Sequence, residues 1–241
     1  MIEIVSSIPS TNAALLARFG EGFAIGEGQW LVADRQTAGR GRAGRQWNDG
    51  AGNFMGSTVV HLRAGDPPAP TLALMAGVAT HAALAAVAPG LGALRLKWPN
   101  DVLVDQAKLA GILLERQGDA VVVGIGVNLA NHPDLPDRAT IALGDLGFSC
   151  SRDDFATTLG AHFAACLARW HAGDWPGLRM EWLARGLAPG TAVTMAHARQ
   201  GRLTGGFAGL TADGAAMVRL GDGRCEVVHA GDVELVAMGE G

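Results

Sequence analysis

Between residues 94 and 129 four apolar runs follow one another with connections of only two to four residues, and this spacing is the strongest constraint on the fold. The runs are Leu94–Trp98, Val102–Asp105, Lys108–Glu115 and Ala120–Leu129. Parallel strands need a crossover of about a dozen residues or more, whereas antiparallel neighbours need only a turn. The middle of the chain is therefore expected to run antiparallel. Helical spacing of apolar residues predicts helices over Thr11–Phe19, Leu72–Ala88, Arg152–Trp170 and Trp175–Arg185, and Trp30–Ala33 reads as a further strand. The texture changes at Pro189-Gly190. Short runs follow at Ala192–Met195, Leu203–Leu210, Ala215–Leu220 and Cys225–His229, broken by the tight-turn dipeptides Asp213-Gly214 and Asp222-Gly223. The expected class is α+β: a mixed, largely antiparallel sheet with flanking helices over residues 1–187, and a small β-barrel over residues 188–241.

That topology weakens the dinucleotide reading of Gly39-Arg40-Gly41-Arg42-Ala43-Gly44, which matches G-x-G-x-x-G. A phosphate-binding string of that kind must open a helix, but a polar, glycine-rich stretch with no apolar period follows here, Arg45-Gln46-Trp47-Asn48-Asp49-Gly50-Ala51-Gly52. The acidic residue expected about 20 positions later for a ribose contact is also missing. Arg40, Arg42 and Arg45 instead place several guanidinium forks on one loop, where they can converge on an anion. Closely packed arginines repel one another and glycines are costly to order, so the loop is expected to stay disordered until an anion holds it as a lid.

Net charge is −4, with no basic stripe, which argues against a grip on nucleic acid. Cys150, Cys166 and Cys225 have neither disulfide nor metal spacing, and a reducing compartment fits them. Residues 1–10 lack the pattern of a leader peptide, and Leu72–Ala88, alanine-rich and bounded by Pro70 and Pro89, reads as core rather than as a membrane span. A cytoplasmic protein is expected.

The chain has 17 arginines but only two lysines, Lys97 and Lys108, a dozen residues apart. A lysine ammonium is a compact point charge, so a site shaped around one oxygen cluster does not readily exchange it for arginine. Both lie at strand ends within Lys97-Trp98-Pro99-Asn100-Asp101 and Lys108-Leu109-Ala110-Gly111-Ile112-Leu113. Asn100 suits a turn or a ligand equally. Asp101 suits an ion pair with Lys97, a Mg²⁺-nucleotide or a ribose hydroxyl. Gly111, inside a strand, marks the close approach of a ligand or another backbone. Ser10-Thr11-Asn12 supplies N-cap residues, and Gly124-Ile125-Gly126-Val127-Asn128-Leu129 ends a strand in an amide that either reads a base edge or closes the strand.

In this order, with Gln36-Thr37-Ala38 leading into the arginine loop and Trp47 closing it, the strings resemble the catalytic domain of biotin protein ligases. The resemblance implies a class II synthetase-like catalytic domain with a C-terminal SH3-like barrel. Only nine residues precede Ser10, so it points to the type without an N-terminal DNA-binding domain. It also implies two steps: biotin is adenylated with ATP to biotinyl-5'-AMP and pyrophosphate, and the biotinyl group then passes to a lysine of a biotin carboxyl carrier protein. Lys108 and Arg42 are the implied catalytic residues. Ser10, Thr11, Asn12, Gln36, Gly39, Arg40, Gly41, Arg42, Lys108 and Gly111 fall to biotin. Arg40, Arg42, Arg45, Trp47, Lys97, Asn100, Asp101 and Asn128 fall to ATP and the adenylate, with Mg²⁺ near Asp101. Trp47 either packs on the adenylate or anchors the loop.

The implied cofactors are ATP and Mg²⁺, with biotin as substrate and no tightly bound prosthetic group. The implied partner is the carrier domain of a carboxylase, without nucleic acid or membrane, and the enzyme is a monomer or a homodimer. Ala43 and Ala107 stand where the family usually has arginine, which weakens the positive field. A lipoate or octanoate transferase of the same fold and a non-catalytic biotin sensor are the rival readings. A biotin-accepting carrier is excluded, because neither lysine has a Met-Lys-Met context.

Overall fold

The computed structural model describes residues 1–48, 50–197 and 201–236; Asp49 of the arginine loop lies outside the described residues. The main sheet is built from β1 (Ile2–Val5), β2 (Trp30–Ala33), β3 (Phe54–His61), β4 (Leu94–Lys97), β5 (Asp101–Val104), β6 (Ala107–Gln117) and β7 (Ala120–Val127). Its spatial order is β1-β2-β3-β7-β6-β5-β4. Only β1 and β2 pair in parallel, through the crossover helix α1 (Thr11–Gly20). Every other neighbouring pair is antiparallel, as the short connections require. No helix of the dinucleotide-binding kind follows β2: the chain enters the arginine loop and returns as β3, antiparallel to β2.

Strand alternation divides the sheet into two unlike faces. Val32, Phe54, Val60, Val121, Val123, Ile125 and Val127 pack into the large core beneath α2 (Thr71–Val87), α3 (Arg152–His171) and α4 (Trp175–Arg185). Leu31, Val59 and Val122 point the other way and meet Leu15 of α1 in a much smaller cluster. That second face is covered in part by α1 and in part by Trp47 of the arginine loop, which lies over Gly111 and Gly126. β3 is buried along almost its whole length on both faces, so it carries no apolar–polar alternation to mark it in the sequence.

The chain ends of the helices are set locally. Ser10 caps α1 by accepting from the Ala13 N–H, Ser151 caps α3 above two first-turn aspartates, and Asp174 caps α4. After α4, β8 (Ala192–His197), β9 (Gly201–Leu210), β10 (Ala216–Arg219), β11 (Cys225–Val228) and β12 (Val233–Leu235) form a separate antiparallel sheet in the order β11-β10-β9-β8-β12. Buried indoles tie it down: Trp98 Nε1 donates to the Gly214 carbonyl at 3.0 Å and Trp175 Nε1 to the Ala212 carbonyl at 2.6 Å. Among the described residues no helix is long and apolar enough to cross a membrane.

Candidate active site

A cavity of about 390 Å³ opens on the α1 face of the main sheet, large enough for a small-molecule ligand. Its floor is made by glycines. Gly111 and Gly126 are register partners on β6 and β7, and an added Cβ on either would run into the Trp47 ring, at 3.2 Å from Gly111 and closer still from Gly126. A Cβ on Gly124 would collide with Asn12 Oδ1. The sheet is thus bare of side chains where other groups must press against it, as the strand glycine Gly111 indicates.

At one end sits a buried polar cluster. The Thr11 N–H donates to Gln36 Oε1 at 2.7 Å, the Thr11 and Ser57 hydroxyls are 2.7 Å apart, and Ser57 Oγ donates to Asn12 Oδ1 at 2.6 Å. Ser10, Thr11 and Asn12 are each only 3% exposed. Ser10 does cap α1, so the bland role is real, but the cap also delivers Thr11 and Asn12 into the cavity wall.

At the other end sits Lys108, whose ammonium lies 2.5 Å from Asp101 and 5.7 Å from the centre of the Trp47 ring. Lys97 holds the other Asp101 oxygen at 3.1 Å. Burial pushes the Asp101 carboxyl up, yet the ammoniums of Lys108 and Lys97 outweigh it and hold it below the usual carboxylate value. Its ionised form therefore stabilises the fold above the ordinary carboxylate pKa, and that contribution is lost as pH falls through the lowered value.

The arginine loop forms a tight hairpin. Arg40 bridges to Gln46, Gly41 N–H donates to the Arg45 carbonyl at 2.7 Å, and Trp47 N–H donates to the Gly39 carbonyl at 3.0 Å. The expected repulsion is answered by carboxylates from elsewhere in the chain. Arg42 Nη1 reaches Asn100 Oδ1, the Gly231 carbonyl and Asp232 at 3.2 to 3.3 Å; Arg45 also binds Asp232, and Arg40 binds Glu115 at 3.1 Å. Ala43 adopts a left-handed φ of 55°.

Thirteen of the residues expected at the site line this cavity, from Ser10 to Asn128, while Gly39, Lys97 and Asp101 do not. Gly39 is required instead by the hairpin, since a Cβ there would lie 2.5 Å from the Trp47 carbonyl. Asp101 is buried beneath the cavity with an ammonium ion-paired to each oxygen, an arrangement that does not fit Mg²⁺, and no step is routed through the ion. Asn100 is tied to the protein, donating to the Ile112 carbonyl at 2.7 Å and accepting from Arg42, and it also lines the cavity. Asn128 closes its strand by donating to the Ile141 carbonyl, and it also lines the cavity. Trp47 anchors the hairpin on the glycine floor, with its Nε1 left without a partner among the described residues.

Sequence reasoning missed Ser57, Glu115 and the wall formed by Pro133, Leu135, Asp137, Arg138 and Thr140. Ser57, with Thr58 a buried hydroxyl in a strand that is mostly apolar, was a signal that could have been read. The 133–140 wall has no regular element and gave none.

The chain belongs to the biotin/lipoate A/B protein ligase family, whose model matches residues 5–129. Within that family it is 36% identical to a biotin–[acetyl-CoA-carboxylase] ligase of Paracoccus denitrificans, over 93% of this chain and 96% of that one. It is equally identical to the enzyme of the same name from Mycobacterium tuberculosis, over 96% and 88%. Biotin protein ligase from Aquifex aeolicus, solved in complex with biotin and ATP, superposes with a TM-score of 0.82 at 25% identity, covering 98% of both chains.

Proposed function

We propose that this chain is an ATP-dependent ligase that adenylates biotin and transfers it to a lysine of a biotin carboxyl carrier domain. The observation that carries the reading is that one cavity is lined both by a buried hydrogen-bonding cluster and by a set of cations. Ser10, Thr11, Asn12 and Gln36 suit a ureido ring, and Lys108 with Arg40, Arg42 and Arg45 suits a carboxylate beside phosphates. The names of the relatives in Paracoccus and Mycobacterium support the same substrate and acceptor.

In the first step a biotin carboxylate oxygen attacks the α-phosphorus of ATP, and the bond to the bridging oxygen breaks as pyrophosphate leaves. Both reactants are anionic, so the step needs fixed positive charge and alignment. Lys108 supplies a point charge held in place by Asp101 and the Trp47 face. Arg42, held by Asn100, supplies a fork from the hairpin side. A charge pair at about 4 Å is worth roughly 1 kcal/mol in water but about 4 at an effective dielectric of 20, so the hairpin covering the site strengthens each contact. In the second step an acceptor lysine amine attacks the biotinyl carbonyl and AMP leaves. Trp47, Asn100 and Asn128, which line the cavity, are the proposed nucleotide contacts between those events, with the hairpin shielding the anhydride from water.

With biotin and ATP, hydroxylamine trapping by the purified protein is expected to yield biotinyl-hydroxamate, whereas octanoate and lipoate yield none. Hydroxamate from lipoate but not biotin would move the reading to the lipoate branch of the family.

A further inference from the structure

Glu115 stands at the end of β6, outside every string that carried the sequence reading, and touches the polar cluster and the arginine hairpin at once. Its Oε2 accepts from Asn12 Nδ2 at 2.9 Å, and its Oε1 accepts from Arg40 Nη1 at 3.1 Å. We propose that Glu115 is the positioning residue that sets the direction of the hydrogen-bond chain in the cavity, and through it the preference for a cyclic urea. This rests on the biotin reading above.

An ionised carboxylate offers only acceptors, so Asn12 must turn its NH₂ group towards Glu115. Its carbonyl oxygen is thereby turned towards Ser57, whose only hydroxyl proton goes to it at 2.6 Å. Ser57 then accepts from the Thr11 hydroxyl at 2.7 Å, which is closer than the 3.2 Å from that hydroxyl to Gln36 Oε1. Each member from Thr11 through Ser57 and Asn12 to Glu115 donates to the next, and the carboxylate is the terminus that fixes the order. Gln36 Oε1 is already taken by the Thr11 N–H, which leaves the Gln36 NH₂ as the donor it offers the cavity.

Asn12 and Gln36 both line the cavity, and this order of donors leaves the second lone pair of Asn12 Oδ1 as an acceptor and the Gln36 NH₂ as a donor. A ureido ring matches both, with N–H donors flanking a carbonyl acceptor. A dithiolane or an alkyl end matches neither and leaves buried polar groups unpaired, which is the circumstance in which a site discriminates strongly. Removing the carboxylate frees the Asn12 amide to flip and blurs that distinction.

The test is steady-state, biotin-dependent pyrophosphate release by the full chain. Glu115→Gln is expected to raise the KM for biotin by about tenfold or more while leaving the KM for ATP within about twofold. Asn12→Asp alone sets two carboxylates face to face and is expected to do the same. In the double variant Asn12→Asp/Glu115→Gln the two groups exchange roles: the amide introduced at position 115 can donate to the carboxylate introduced at position 12 and accept from Arg40, which restores an acceptor facing Ser57. The double variant is expected to regain most of the biotin KM lost in either single one. Equal KM values for wild type and Glu115→Gln, equal rises for both substrates, or a double variant no better than the singles would overturn the proposal. Failure of the wild type to release pyrophosphate with biotin would instead remove the biotin reading itself.

Discussion

Replacing Lys108 with alanine is expected to lower the rate of biotin-dependent pyrophosphate release by about 10²–10³-fold, the usual cost of deleting one preorganised charge from a reacting centre. The size of the effect follows from where Lys108 sits. It is one of two lysines in the chain, its ammonium is fixed by Asp101 at 2.5 Å, and it reaches the cavity beside the Trp47 ring. The substitution also leaves Asp101 with Lys97 alone, and a buried carboxylate that loses a partner destabilises the fold. Acid unfolding should then begin at a higher pH, because the Asp101 carboxyl rises towards its ordinary value. The double variant Lys108→Ala/Asp101→Asn removes the under-paired carboxylate and leaves Lys97 an amide oxygen to donate to. It is expected to regain part of the stability lost in Lys108→Ala and still release little pyrophosphate, whereas recovery of activity would assign Lys108 to the fold rather than to the chemistry.

Arg42→Gly is expected to let biotinyl-adenylate escape at least about tenfold faster and, because Arg42 also supplies positive charge to the first step, to slow its formation as well. Arg42 joins the hairpin to Asn100 in the main sheet and to Gly231 and Asp232 in the C-terminal sheet. Hydrogen bonds from a charged donor contribute about 1.5–3 kcal/mol each, and about 1.4 kcal/mol corresponds to a factor of ten. Glycine also loosens a backbone that already passes through the left-handed Ala43. Gel filtration of enzyme loaded with labelled biotin would show the label trailing behind the protein in the variant. Retention equal to wild type would mean the hairpin does not hold the intermediate.

The antiparallel sheet was readable because turns of two to four residues permit nothing else, and the helices because their apolar residues recur at helical spacing. β3 escaped because burial on both faces erases alternation, and β1 because four residues at a sheet edge carry little pattern. For the site, the glycines and lysines could be read as conspicuous, but the depth at which each would lie could not. Lys97 and Asp101 look in the sequence like partners of the ligand, yet the bulge between Val102 and Leu103 and the register of β5 on β6 place Asp101 beneath Lys108 as its support. The order of the arginine hairpin is hidden for a related reason. The carboxylate that neutralises Arg42 and Arg45 comes from Asp232, nearly two hundred residues away, and no local window contains it.

The most direct test of the central claim follows the biotinyl group itself. The purified chain, incubated with biotin, ATP and an isolated biotin carboxyl carrier domain, should add one biotinyl group to a single lysine of that domain, as read by mass spectrometry with peptide mapping. Omitting ATP should leave the domain unmodified. A carrier domain that stays unlabelled, while a biotin ligase of known activity labels the same preparation, would contradict the account.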